Sequence, residues 1–166
     1  MKTKLTSRII KVLIYIPLFC LLTSLTAIIA FKFVPVPYTP LMALRSFEHR
    51  KDCNYHTNKQ WKTLSEMGFA MAMAAIAAED IKFNSHNGFD WKAIRLALRD
   101  YKQGISKRGA SSISQQTAKN VFLLPHRSWI RKGIEAYFTV LIELIWGKER
   151  ILEVYLTQNV HLDVYD

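Results

Sequence analysis

Glu79 stands where an apolar run, GFAMAMAAIAA over residues 68–78, gives way to a polar turn, EDIKFNSHNGFD over residues 79–90. A carboxylate at the C-terminal end of a buried apolar helix feels desolvation and the negative end of the helix macrodipole. Both disfavour its anion. The expected result is a proton affinity raised toward neutrality, where a carboxylate can act as a general base. The competing reading is a helix-terminal Glu paired with Lys82 on the surface. Asp80 either tunes Glu79 or caps the turn, and a structural role is favoured. Phe83, His86 and Gly88 read as shapers of that turn, with His86 a weaker candidate for a second base.

The remaining candidates carry mostly positive charge. Lys119, Arg131 and Lys132 suit the stabilisation of negative charge developing on a leaving group, and their competing reading is a solvated basic face. Glu135 lies one turn after Arg131, so an i,i+4 ion pair of about 0.2–0.5 kcal/mol is the simplest account of it. Arg150 and Glu153, at i,i+3, read as a structural salt bridge. Ser112 and Gln115 have the spacing of a helix-capping box, which leaves Gln116 the freer residue for binding hydroxyls, amides or phosphate oxygens. Lys107 and Arg108 sit in the glycine-bounded loop GISKRGAS (residues 104–111), a plausible flap over a substrate.

The elements that must position these residues are helical. Residues 68–78 read as a buried helix ending near Glu79. Asp90 is placed to cap a second helix over residues 91–102, with Ile94, Leu96, Ala97 and Leu98 toward its inner face. Ser112 would start a third helix through Asn120. A long helix follows from about Ser128 to Trp146, with an apolar stripe of Ile130, Ile134, Tyr137, Phe138, Leu141 and Ile145. Gly147 is a natural stop, and Lys148 begins another helix. Strand signals are almost absent, so the fold class is mainly α.

Upstream, residues 12–31 are twenty consecutive uncharged residues, long enough at ~1.5 Å per residue to cross a ~30 Å hydrocarbon layer. Lys2, Lys4, Arg8 and Lys11 precede this span and Lys32 alone follows closely. The positive-inside rule then leaves residues 1–11 cytoplasmic and everything after the span outside. Residues 32–60, which open with the proline-rich VPVPYTP, read as a stalk or linker, and residues 61–166 as the catalytic domain. The 166 residues carry 23 Lys+Arg against 13 Asp+Glu, a net charge of +10. That balance points to a polyanionic partner, and an external location argues against nucleic acid. Cys20 and Cys53 fall on either side of the span's end and are read as free thiols. No Cys/His cluster has metal-ligand spacing.

Four stretches taken together, EDIKFNSHNGFD, GASSISQQTAKN, RKGIE (residues 131–135) and RILEVYL (residues 150–156), resemble the peptidoglycan glycosyltransferases of glycosyltransferase family 51. VPYTPLM after the anchor resembles the monofunctional members. The resemblance covers roughly residues 61–156. It implies a lysozyme-like helical glycosyltransferase domain behind one transmembrane helix, in the bacterial cell inner membrane with the domain periplasmic. It implies polymerisation of lipid II onto a nascent glycan chain, with inversion and release of undecaprenyl pyrophosphate. Glu79 and Glu135 would be the catalytic carboxylates, and Lys119, Arg131, Lys132, Gln116, Ser112, Asn120 and Arg108 the substrate-binding set. No cofactor is required, though a divalent cation, Mg or Mn, could screen the pyrophosphate. Cell-division or wall-synthesis proteins are the further partners to expect.

Family members carry Asn after the YL of the fourth stretch, followed by a glycine-rich segment and further helices. Here Thr157 stands in that place and the chain stops at Asp166, which reads as C-terminal shortening. Two other readings compete. One is a peptidoglycan-cleaving enzyme of lysozyme type, which would have no use for the cation cluster. The other is an inactive remnant that only binds substrate or partner proteins at the membrane.

Overall fold

Hydroxyl groups inside an apolar helix can enter a bilayer only if their hydrogen bonds are made within the helix. Helix α1 (Lys2–Phe33) meets that condition. Thr23, Ser24 and Thr26 donate back to the carbonyls of Phe19, Leu21 and Leu22 at 2.8–2.9 Å. Its Lys11–Phe33 portion has a mean hydropathy of 2.4 and is long and apolar enough to cross a membrane once. The computed structural model describes residues 2–48, 55–56, 61–105, 109–126, 128–159 and 164–165. Cys53, Lys107 and Arg108 lie outside the described residues. The chain divides into two units, Met1–Val34 and Pro35–Asp166.

The second unit is helical, as the hydrophobic periodicity requires. Its helices are α2 (Pro40–Glu48), α3 (Leu64–Met67), α4 (Phe69–Glu79), α5 (Trp91–Lys102), α6 (Ile113–Phe122), α7 (Trp129–Ile145) and α8 (Lys148–Asn159). A 3-10 turn, Phe83–Ser85, joins α4 to α5. The described strands are two residues each, β1 (Tyr55–His56) pairing antiparallel with β2 (Val164–Tyr165). The boundary expected at residue 61 is therefore too late. Thr39 accepts from the Met42 N–H at 3.3 Å and Pro40 opens the helix, a favoured first-turn position for proline. The helix so started packs against α6, so part of the expected linker belongs to the domain.

Helix α6 is the centre of the unit. It packs against both α7 and α8 and buries Ile113, Ser114, Gln115, Thr117, Ala118 and Val121. From α8, Ile151, Leu152, Val154, Tyr155 and Leu156 close the core. Phe122 stacks on Phe138 with ring centroids 4.4 Å apart.

Four sequence expectations need correction. Helix α4 has the expected bounds but buries only Ala72 and Ile76, and Phe69 is 80% exposed. Among the described elements α4 meets α3 and α8, which cover a single stripe of it. In α5, Leu96 and Leu98 are about half exposed, whereas Ala93, Ile94, Ala97 and Asp100 are partly covered. In α7 the inward stripe is Glu135, Thr139 and Ile142, continuing to Trp146. Two of those residues are polar, so apolar periodicity pointed to a neighbouring face, on which Ile130, Ile134 and Tyr137 are exposed. Trp146, in extended backbone, ends α7, and Gly147 has no positive φ.

Gly88 is a position where the backbone itself demands glycine. Its φ is +84°, and an added Cβ would sit 2.8 Å from Thr139 Cγ2 and 3.1 Å from Glu143 Cγ. Ser112 Oγ donates to its carbonyl. Gly88→Ala should therefore lower unfolding free energy by about 2–4 kcal/mol, combining left-handed strain with overpacking. A urea titration that returned the wild-type midpoint would show that the approach of this turn to α7 has slack.

Candidate active site

Helix α4 stops at Glu79 because Asp80 leaves helical backbone (φ −158°, ψ 76°) while its N–H still bonds Ile76 O at 3.0 Å. The Asp80 carboxylate then turns inward and is buried. Both of its oxygens lie 3.0 Å from His86 Nε2, and Oδ2 accepts from the Ile113 N–H at 3.2 Å. Ile113 is the first residue of α6, whose opening N–H groups have no partner within the helix. One carboxylate thus ties the end of α4, the following turn and the start of α6 together. The structure uses Asp80 and His86 Nε2 in this clamp, while His86 Nδ1 is buried with no partner among the described residues.

Lys148, from the first turn of α8, secures the other side of the turn. Its ammonium donates to His86 O at 2.6 Å and to Glu143 Oε1 at 2.7 Å, and stands 4.5 Å over the Phe83 ring. Ser114 Oγ donates to the same Glu143 oxygen. Sequence reasoning passed over this Glu143–Lys148 hub, because a spacing of five residues across a helix break has no local signature. Glu153 is structural as expected: it pairs with Arg150 and accepts from Leu64 N at 3.0 Å.

Glu79 itself is exposed. The burial on which its raised proton affinity was expected is therefore absent, because α4 is covered along one stripe only. Nor does it pair with Lys82, which lies 3.9 Å from Asp90. Its carboxylate instead accepts from Gln116 Nε2 at 2.7 Å. Gln116 projects from α6 because the Ser112–Gln115 capping box sets the first turn, Ser112 Oγ accepting from Gln115 N and Gln115 Oε1 from Ser112 N. Ser112 and Gln115 are both buried. Ser112, expected among the substrate-binding residues, has its hydroxyl engaged by Gly88 O and Gln115 N.

The cations assemble on the first turns of α7. Ser128 caps the helix by accepting from Arg131 N at 3.0 Å. Glu135, only 2% exposed, accepts from Arg131 Nη1 at 2.9 Å and from Lys132 Nζ. This is more than the surface ion pair that spacing alone suggests, because burial removes the solvent that would screen it. Lys132 also donates to Ser111 Oγ at 3.3 Å, and Gln116 Nε2 lies 3.5 Å from Ser111 O. A continuous ladder, Glu79–Gln116–Ser111–Lys132–Glu135–Arg131, therefore joins the proposed base to the cation cluster. Ser111 was not among the sequence candidates. Lys119 and Asn120 follow Gln116 by three and four residues on α6 and are half-buried. Lys119 has no ion pair among the described residues, and Arg131 Nε is buried without a partner there.

Residues Ala110 and Ser111 separate two clefts. One, of about 230 Å³, is lined by Glu79, Asp80, Asp100 and Ser112 over an apolar floor of Ala93, Leu96 and Ala97. The other, of about 360 Å³, has apolar walls from Ile94, Leu98 and Tyr101, with Lys132 its only charged lining residue among the described residues. No group of three His, Cys, Asp or Glu side chains able to hold a metal ion occurs among the described residues.

Two expected outcomes follow from these electrostatics. Glu135→Gln keeps the shape but removes the charge that holds Arg131 and Lys132, and should cost about 1.5–3 kcal/mol of stability in urea. An unchanged midpoint would mean that both cations are satisfied elsewhere. Tyr155 titrates above the ordinary phenol range, chiefly because it is buried and secondly because of the charge on Glu79. Its neutral form is thus favoured by the fold, so the stability it lends is complete below about pH 10 and is lost as pH rises through the raised value. Glu79→Gln should lower the Tyr155 midpoint without returning it to the ordinary value. Ultraviolet difference titration against Tyr155→Phe measures this, and an unmoved midpoint would separate the two groups electrostatically.

Comparison with known proteins adds to this geometry. The transglycosylase family profile matches residues 46–162. The chain is 50% identical over 135 residues to the biosynthetic peptidoglycan transglycosylase of Bdellovibrio bacteriovorus, covering 81% of this chain and 54% of that protein. It is 49% identical to the protein of the same name from Bacteroides thetaiotaomicron, over 84% of this chain and 56% of the relative. For that of Ectopseudomonas mendocina the identity is 46%, over 94% and 63%. The chain spans about half the length of the first two relatives.

Proposed function

This chain belongs to the transglycosylase family, and from that membership we propose that it is a peptidoglycan glycosyltransferase that polymerises lipid II. In this reading the 4-hydroxyl of an incoming lipid II attacks C1 of the lipid-linked growing chain. The new C1–O4 bond forms as the bond from C1 to the diphosphate oxygen breaks, with inversion. The hydroxyl proton passes to the Glu79 carboxylate and undecaprenyl pyrophosphate departs. A sugar hydroxyl is a weak nucleophile, so a base in reach is the first requirement. Glu79 is exposed to an incoming hydroxyl and is oriented by one hydrogen bond from Gln116.

The observation that carries the reading is the ladder of contacts between Glu79 and the Arg131–Lys132–Glu135 cluster. It supports one site with a base at one end and fixed cations at the other. Diphosphate is a good leaving group once its charge is met, so cations serve it better than an acid does. Arg131, Lys132 and Lys119 take that role. Glu135 holds the two α7 cations in place and is not assigned as a proton donor. Gln116 and Asn120 are proposed as polar contacts to the saccharide. Magnesium or manganese enters only as a counter-ion on the diphosphate oxygens.

A peptidoglycan-cleaving reaction has no charged leaving group and gives the α7 cations nothing to do. The excess of Lys and Arg before the uncharged span of α1 supports a cytoplasmic N-terminus and a periplasmic domain at the bacterial inner membrane. Purified protein given labelled lipid II should form glycan polymer, and Glu79→Gln should slow this by at least about 100-fold. No polymer from the wild type would sink the enzymatic reading in favour of a binding protein, equal polymer from both proteins would remove Glu79 as the base, and shortening of preformed glycan would favour the cleaving reaction.

A further inference from the structure

Two clefts that share a wall but differ in charge should sort ligands by charge. Among the described residues the cleft on the Glu79 side is lined by three carboxylates and no cation, so they offer hydrogen-bond acceptors to an entering ligand. Among the described residues the cleft beyond Ser111 has a single charge, the ammonium of Lys132. Within the first cleft the carboxylates differ in availability. Asp80 is consumed by His86 and Ile113 N. Glu79 is the proposed base. Asp100 has no such duty.

Asp100 follows Ala93 and Ala97 at i+7 and i+3 on α5, so the three side chains share one face, and all three line the cleft with Glu79. The Asp100 side chain is 27% exposed. Its ion-pair partner is the adjacent Arg99, whose Nε and Nη2 both lie 3.4 Å from Oδ1. Among the described residues Oδ2 has no partner. An apolar floor of Ala93, Leu96 and Ala97 beside a free carboxylate oxygen suits a pyranose ring, whose faces are apolar and whose edges carry hydroxyl and amide donors.

We infer that Asp100 is a positioning residue for the acceptor saccharide, taking a hydrogen bond from a sugar hydroxyl or amide N–H while Glu79 faces the attacking hydroxyl. This rests on the proposed reaction. It assigns a duty on α5 that neither the spacing of the sequence motifs nor the ladder through Ser111 supplies.

The test varies acceptor lipid II at saturating lipid-linked tetrasaccharide donor. Asp100→Ala should raise the acceptor KM about ten-fold or more, as expected for a lost hydrogen bond to a charged group, with kcat changed less than three-fold. Asp100→Asn, which keeps an acceptor oxygen, should fall between Ala and wild type. Arg99→Ala, which removes the ion pair alone, should behave as wild type. An acceptor KM within two-fold of wild type for Asp100→Ala, or an equal rise with Arg99→Ala, would overturn the inference. So would a matching loss of melting temperature in Asp100→Ala and Asp100→Asn, since the effect would then be structural. If the wild type makes no polymer, the proposed reaction fails on its own. In that case affinity for detergent-solubilised lipid II, measured in a Glu79→Gln background, decides: a ten-fold weakening by Asp100→Ala retains Asp100 as a saccharide contact, and unchanged affinity rejects it.

Discussion

The Asp80 carboxylate is the constraint on which the site's geometry depends. It leaves the end of α4 and reaches His86 Nε2 and the first N–H of α6. Glu79 is its neighbour in sequence, and Gln116 lies one turn into α6. A single buried anion therefore sets the register of the residue proposed to act as base against the residue that orients it. Burying a carboxylate is costly unless its lone pairs are taken up, and here two partners from different segments take them. The Lys148–Glu143 pair completes the arrangement by holding His86 O from α8.

The second buried carboxylate, Glu135, works in the opposite sense. Asp80 joins backbone segments, whereas Glu135 collects positive side chains. Arg131 and Lys132 would repel one another if left free, and a buried anion on the next turn keeps both on one side of the helix. Cations held in advance cost no reorganisation when charge develops on a leaving group. In the proposed reaction this explains why a carboxylate belongs in a site meant for diphosphate: its charge is spent on the protein's own cations.

The exposure of Glu79 bears on how such a base would work. The expectation from its position was a carboxylate tuned by burial, and α4 does not provide that burial. Its orientation comes from a polar contact with Gln116 instead. Its influence on the protein is also electrostatic, since its charge contributes to raising the proton affinity of the buried Tyr155. The function proposed for Glu79 thus depends on where it is held more than on a greasy surrounding.

Much of the fold is local and could be read from the chain. Asp90, Ser112 and Ser128 each cap the helix expected after them, because a cap is set by residues within one turn. The uncharged run of α1 needs no tertiary partner to be recognised. The four motif stretches identified the family, since residue types at fixed spacing survive without coordinates. What the sequence could not decide is which face of a helix meets the rest of the protein. The inward face of α7 is built around Glu135 and Thr139, and apolar periodicity misses polar residues that are buried because distant partners satisfy them. The same limit hid Ser111 and the Glu143–Lys148 hub, whose contacts join residues 21 and 62 positions apart. Sequence by itself determined the helices, the anchor and the candidate chemistry, because those follow from short-range spacing and composition. Tertiary structure alone decided burial and partnership, because both depend on the packing of segments far apart in the chain.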